Sequence, residues 1–136
     1  MALCLAGGGA TVRLALAAFS LIWTHTVEKI PWREDWRVEG DRLVIERVMI
    51  KGSGAGMEPD PSARLLDGWY VWRPDNGVRA KVVLRRAAAP GVGDWTLCTP
   101  AGACRPLAEI LPADADPVTL AACADAAPLP DSGRLR

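Results

Sequence analysis

The sequence is poor in the residues on which enzymes and metal sites usually draw. It holds one histidine, one tyrosine and one phenylalanine in 136 residues. A single imidazole leaves a transition metal without a second nitrogen anchor, so no metal and no other cofactor is expected. No C-x-x-C pair occurs, and the cysteine spacings are too irregular for a zinc ribbon. There is no G-x-S-x-G elbow and no glycine loop ending in G-K-[ST], so neither a hydrolase nucleophile of that type nor a nucleotide-binding loop is present. Excess charge of one sign is also missing. The 16 basic and 16 acidic residues cancel, which argues against nucleic acid or an anionic membrane surface as the main partner. Finally, no long apolar run survives intact. Met1–Ile22 is broken by Gly7-Gly8-Gly9 and carries Arg13, so neither a signal-peptide core nor a transmembrane helix is expected there.

Tryptophan is what the chain has in abundance, with six residues. Three of them, the only histidine and the densest run of charge fall in Phe19–Val38, FSLIWTHTVEKIPWREDWRV. Alternation predicts a strand over Phe19–His25, with Phe19, Leu21, Trp23 and His25 on one face. Thr26–Ile30 is a polar crossing, and Pro31 suits the start or edge of a second strand because it has no N–H for a ladder. From Trp32 the alternation places Trp32, Glu34, Trp36 and Val38 together. Arg33, Asp35, Arg37 and Glu39 form the other face, read as a solvated surface. Glu34 is the anomaly, a carboxylate between two indoles on the side that should be buried. Such a group is costly unless it is paired or hydrogen-bonded. The nearby partners are His25, Lys29 and the indole N–H groups. A polar cluster of His25, Glu28, Lys29 and Glu34 roofed by Trp32 and Trp36 is therefore expected. Arg47, on the Leu43, Ile45 and Met49 face of the next strand, is a further counter-ion for Glu34.

The rest of the chain reads as short strands separated by turn signals. Strands are expected at Ala2–Ala6, Leu43–Ile50, Trp69–Arg73, Val78–Arg85, Trp95–Cys98, Cys104–Leu107 and Val118–Ala122, while Thr11–Ala17 suits either a strand running on into Phe19–His25 or, by its alanines, a helix. Pro74-Asp75-Asn76-Gly77 marks a hairpin between Trp69–Arg73 and Val78–Arg85. Leu107–Leu111 suits one helical turn ended by Pro112. Lys51–Pro61, KGSGAGMEPDP, is a glycine loop read as a strand-end bulge, with a backbone-amide nest for a small anion as the alternative. Seven to nine strands without a convincing long helix predict an all-β fold, an antiparallel β-sandwich or open barrel. Residues 1–123 would form one domain and 124–136 a disordered tail.

The four cysteines allow two readings. Cys98 and Cys104 flank TPAGA, a plausible hairpin tip, and would form a local disulfide, leaving Cys4 with Cys123 to tie the ends together. Four reduced thiols in a cytosolic protein are the alternative.

WTHTVEKIPWREDW, followed by GSGAGMEPDP and DGWYVWRP, resembles the bacterial domain of unknown function 1850 family. The family pattern is H-S-V-E-K, an aromatic or proline, a glutamate, a strand and a G-x-G-A-G loop. His25, Val27, Glu28, Lys29, Glu34, Gly54, Ala55 and Gly56 match it, and Thr26 replaces the serine while keeping the hydroxyl. The resemblance covers Phe19 to Leu107 and brings no established activity. It implies a context: such proteins are often encoded beside tripartite solute transporters of the TRAP type that use a TAXI-class binding protein.

Three functions compete. An enzyme would use His25 and Glu34 as acid and base, or with Glu28 as metal ligands. Thr26 follows His25 directly, so on a strand it points to the opposite face and cannot be activated by it. A binding module would use the tryptophans as an apolar wall, Lys29 or Arg47 as carboxylate receptors, and the amides of the Gly54–Gly56 loop. A purely structural cluster would fasten the crossing and bind nothing, with Lys29 paired to Glu28 or Asp35. The sequence favours a non-enzymatic accessory protein contacting transporter components or a small organic acid, placed in the periplasm or at a membrane rather than in the cytoplasm.

Overall fold

The computed structural model describes residues 1–24, 30–52, 58–86 and 94–124. These residues form twelve strands: β1 (Ala2–Gly7), β2 (Ala10–Leu14), β3 (Ala18–Thr24), β4 (Pro31–Glu39), β5 (Arg42–Ile50), β6 (Arg64–Leu66), β7 (Trp69–Trp72), β8 (Val78–Arg79), β9 (Lys81–Leu84), β10 (Thr96–Cys98), β11 (Cys104–Pro106) and β12 (Val118–Cys123). One turn of 3-10 helix, Leu107–Glu109, follows β11 and stands where the helical turn was expected. Every strand pairing is antiparallel. The smaller sheet runs β2-β1-β12-β9, and the larger runs β11-β10-β3-β4-β5-β7-β6 with β8 also on β5. The all-β class read from the alternation is the class observed.

Alternation explains how the sheets close on one core. Leu3 and Leu5 of β1 and Val118 and Leu120 of β12 point inward from the small sheet. Phe19 and Leu21 of β3, Trp36 and Val38 of β4, and Leu43, Ile45 and Val48 of β5 meet them from the large one. Each fully buried leucine contributes about 1.5–3 kcal/mol. Leu3 and Leu5 are fully buried, so the opening stretch belongs to this core. It turns into β2 through Gly8 and Gly9, both at positive φ, as a tight hairpin requires. β2 stops at Leu14, short of the expected Ala17, because Leu16 N–H donates to the Leu14 carbonyl at 2.8 Å and takes the chain out of the ladder.

Two departures from simple alternation shape the large sheet. The first is a β-bulge. Asp35 lies opposite Arg47, but Trp36 lies opposite Ile45, so Glu46 is an extra residue in β5. The inward set therefore jumps from Leu43 and Ile45 to Val48 and Ile50. Arg47 is turned to the outer face. This corrects the expectation that it shares a face with Leu43 and Ile45; of the three expected neighbours it keeps only Met49, two residues on.

The second departure corrects the hairpin expected at Pro74–Gly77. β7 and β8 do not pair with each other. Both pair with β5, at Val48–Ile50 and at Leu43–Val44, so they are two pieces of one edge strand with Arg73–Gly77 looped out. Ile45 N–H donates to the Gly77 carbonyl at 2.7 Å and closes the loop. The long edge of β5 offers more ladder hydrogen bonds than a return on β7 would. After Arg79 the chain crosses to the small sheet, where β9 pairs with β12.

The cysteines are joined as two disulfides, Cys4–Cys123 and Cys98–Cys104. Cys98 and Cys104 are direct cross-strand partners on β10 and β11. Cys4 and Cys123 are diagonal neighbours on β1 and β12.

Three outcomes follow. The oxidised chain weighs about 4 Da less than the reduced chain in non-reducing mass spectrometry, two hydrogens per bridge. Breaking Cys4–Cys123, which spans 119 positions, removes about 4–5 kcal/mol from the urea-unfolding free energy on the chain-entropy account. Gly77→Ala costs about 1–3 kcal/mol in the same measurement, because its Cβ would lie 2.6 Å from Ile45 Cγ2 and 2.9 Å from the Ile45 carbonyl oxygen.

Candidate functional site

Two consecutive carboxylates on β4, Glu34 and Asp35, leave the strand on opposite faces, and each is held by its own set of donors. Glu34 lies between Leu21 on β3 and Val48 on β5, on the core side of the sheet. The Trp32 indole N–H donates to its Oε2 at 2.9 Å and the Trp36 indole N–H to its Oε1 at 3.0 Å. Residues two apart on a strand share a face about 7 Å apart, so a carboxylate between two indoles can reach both. Phe19 stacks on Trp36 with the rings 4° from parallel, and Trp72 packs edge-on against Trp32 at 5.9 Å. These contacts fix the indoles that clamp Glu34.

Asp35 corrects the reading of its face as a solvated surface. It is only 8% exposed. Ser20, its cross-strand partner on β3, donates a hydroxyl hydrogen bond to Oδ1 at 2.6 Å. Arg33 Nε donates to Oδ1 at 2.8 Å, and Arg47 Nε donates to Oδ2 at 2.8 Å, with Arg47 Nη2 in ion-pair contact with the same oxygen at 2.7 Å. Arg33 Nη2 also reaches Ser20 Oγ at 3.3 Å. Burial by itself raises the carboxyl pKa. The bonds from Ser20, Arg33 and Arg47 outweigh it, and the group is held below the ordinary carboxylate range.

The Asp35 carboxylate, held below the ordinary range by its donors, is weakened as a base toward Ser20. It can orient cations. Asp35 pins two guanidinium groups whose side chains remain 39% and 57% exposed for Arg33 and Arg47. Both line a cleft of about 260 Å³ on the outer face, with Glu46 and Pro100 at its rim. Pro100 belongs to the Thr99–Ala103 tip closed by the Cys98–Cys104 bridge.

The sequence-predicted site residues are thus divided. Glu34, Trp32 and Trp36 come together. Arg47 does not join them, because the bulge at Glu46 sends it to Asp35 on the other face. His25, Glu28, Lys29, Gly54 and Gly56 lie outside the described residues. Ser20, Arg33 and Asp35 were missed as site residues. A signal existed in R-x-D on one strand and a serine that a β3–β4 hairpin pairing would set beside the aspartate. The third partner depended on the bulge and left no local trace. Among the described residues, no group of three or more histidine, cysteine or acidic side chains is placed to hold a metal ion.

Residues 19–107 match the family model described as Domain of unknown function (DUF1850). No curated protein and no solved structure matches the chain.

The Asp35 clamp has a pH signature. A carboxyl whose folded pKa lies below its unfolded value stabilises the fold above the unfolded pKa. That contribution is lost as pH falls through the folded pKa. Asp35→Asn is expected to lower unfolding free energy by about 1–3 kcal/mol at pH 7, and the gap to wild type should close on acidification below about pH 4. Urea midpoints at pH 7, 5 and 3 check this, and equal midpoints at pH 7 would refute the clamp.

Proposed function

The chain belongs to the DUF1850 family, and from that premise we propose that it is a non-enzymatic accessory protein that holds a partner subunit or a small ligand of a tripartite solute transporter. The observation that carries this reading is the pair of guanidinium groups pinned by a buried aspartate on an open sheet face. A fold that keeps a carboxylate out of water to aim two arginines outward is organised for recognition by charge. The transporter context rests on the family resemblance of the motif. Two disulfides suit an oxidising compartment such as the periplasm. Among the described residues, no helix is long and apolar enough to cross a membrane.

For Glu34 the structural reading is the stronger one. Both of its oxygens are occupied by indole N–H groups, so its role is to register β4 against the aromatic layer. Exposed apolar side chains at Leu65 and Leu66 on the β6 edge add a surface suited to a protein partner.

The test is co-purification of the tagged chain with the components of the neighbouring transporter. Wild type is expected to retain a component, and Arg33→Gln/Arg47→Gln to retain about tenfold less while keeping its far-ultraviolet spectrum. His25→Ala, run alongside, measures whether the motif at the crossing contributes. Capture by none of the three proteins would end the accessory reading.

A further inference from the structure

Arg47 also borders a second cleft, on the side of β5 away from Arg33. This one, also about 260 Å³, is lined by Arg47, Arg64, Arg73, Glu46, Val71 and Trp72, with Ser62 and Leu66 at its edge. Arg64 stands opposite Val71 on β6, at the open edge of the large sheet. Arg73 begins the looped-out segment between β7 and β8. Both arginine side chains lack a hydrogen-bond or ion-pair partner among the described residues. Glu46 is the single acid of the lining, and its Oε2 is already taken by Arg37 at 2.5 Å. Three guanidinium groups therefore face a small cleft whose one carboxylate is engaged elsewhere.

We propose that this cleft binds a small organic dicarboxylate, its two carboxylates shared among the guanidinium groups of Arg47, Arg64 and Arg73. Two features specify the ligand. Arg47 is oriented before any ligand arrives: Nε donates to Asp35 Oδ2 and Nη2 is paired with the same oxygen, on a side chain that stays 57% exposed. A guanidinium fixed in this way loses less freedom on meeting a carboxylate. Val71, Trp72 and Leu66 give an apolar surface for the methylene spacer, which inorganic phosphate does not have. The β-bulge is the device behind the site. Without Glu46 as an extra residue, Arg47 would point to the core side of β5.

This inference rests on the binding reading above, and calorimetry on the isolated full chain tests it separately. Succinate and glutarate are titrated at low ionic strength, with succinamide as the neutral analogue and inorganic phosphate as the anion without a spacer. Saturable binding of a diacid is expected, with none of succinamide and weaker binding of phosphate. Arg47→Gln and the double variant Arg64→Gln/Arg73→Gln should each weaken it by about tenfold or more, while Arg13→Gln on the exposed face of β2 leaves it unchanged. No saturable diacid binding overturns the proposal, as does phosphate binding as tightly. Equal weakening by Arg13→Gln would reduce the effect to net charge and overturn it too. Weakening by Arg47→Gln alone would move the ligand to the Arg33 cleft and overturn this assignment. If diacids fail while transporter components are still captured, only the ligand site falls. If diacids bind and no component is captured, only the accessory role falls.

Discussion

Asp35 is the group on which the large sheet turns. A carboxylate removed from water on a sheet face is unfavourable until its lone pairs are given back as hydrogen bonds. Here β3, β4 and β5 each supply a donor: the Ser20 hydroxyl, the Arg33 guanidinium and the Arg47 guanidinium. The three central strands are thereby held in one register, because a one-residue slip on either side would send the partner to the opposite face. The same bonds keep the carboxyl ionised, so the clamp and the local charge pattern are a single feature.

Glu34, the next residue back, solves the same problem with neutral donors. Its two indole partners lie on its own strand and are braced by Phe19 and Trp72. The contrast follows from surroundings. On the core side a guanidinium would itself have to be desolvated, whereas an indole N–H brings a donor on an apolar body that packs. On the outer face the arginine heads keep one side in water, and there a cationic clamp is tolerable. The two carboxylates therefore divide the strand into a face that stabilises and a face that presents charge.

One covalent link braces each sheet. The Cys98–Cys104 bridge closes the tip that carries Pro100 to the rim of the Arg33 cleft, and Cys4–Cys123 ties the small sheet together at its end. Arg86, with a side chain only 6% exposed, adds a third tie: it pairs with Asp94 and donates to the Pro112 and Ala115 carbonyls. A small β protein with a modest core gains from such ties.

Much was legible in the chain itself. Short β-branched and aromatic runs between glycine and proline signals were enough to place nearly every strand, because strand formation and the side a residue faces are local properties of period two. Glu34 stood out for the same reason, as a charge on an otherwise apolar face, and its indole partners sit two residues away. Asp35 did not stand out, because alternation assigns an acid among arginines to solvent and cannot tell that a neighbouring strand covers it. Arg47 was assigned to the wrong face, since one inserted residue, Glu46, inverts every side chain beyond it. The failed hairpin at Pro74–Gly77 has the same origin. A turn signal says that the chain bends, but the ladder it joins is chosen by competition among strands far apart in sequence. Facing is written in the local pattern wherever no bulge interrupts it. Register, and with it the partner of each buried charge, exists only once the strands have been laid side by side.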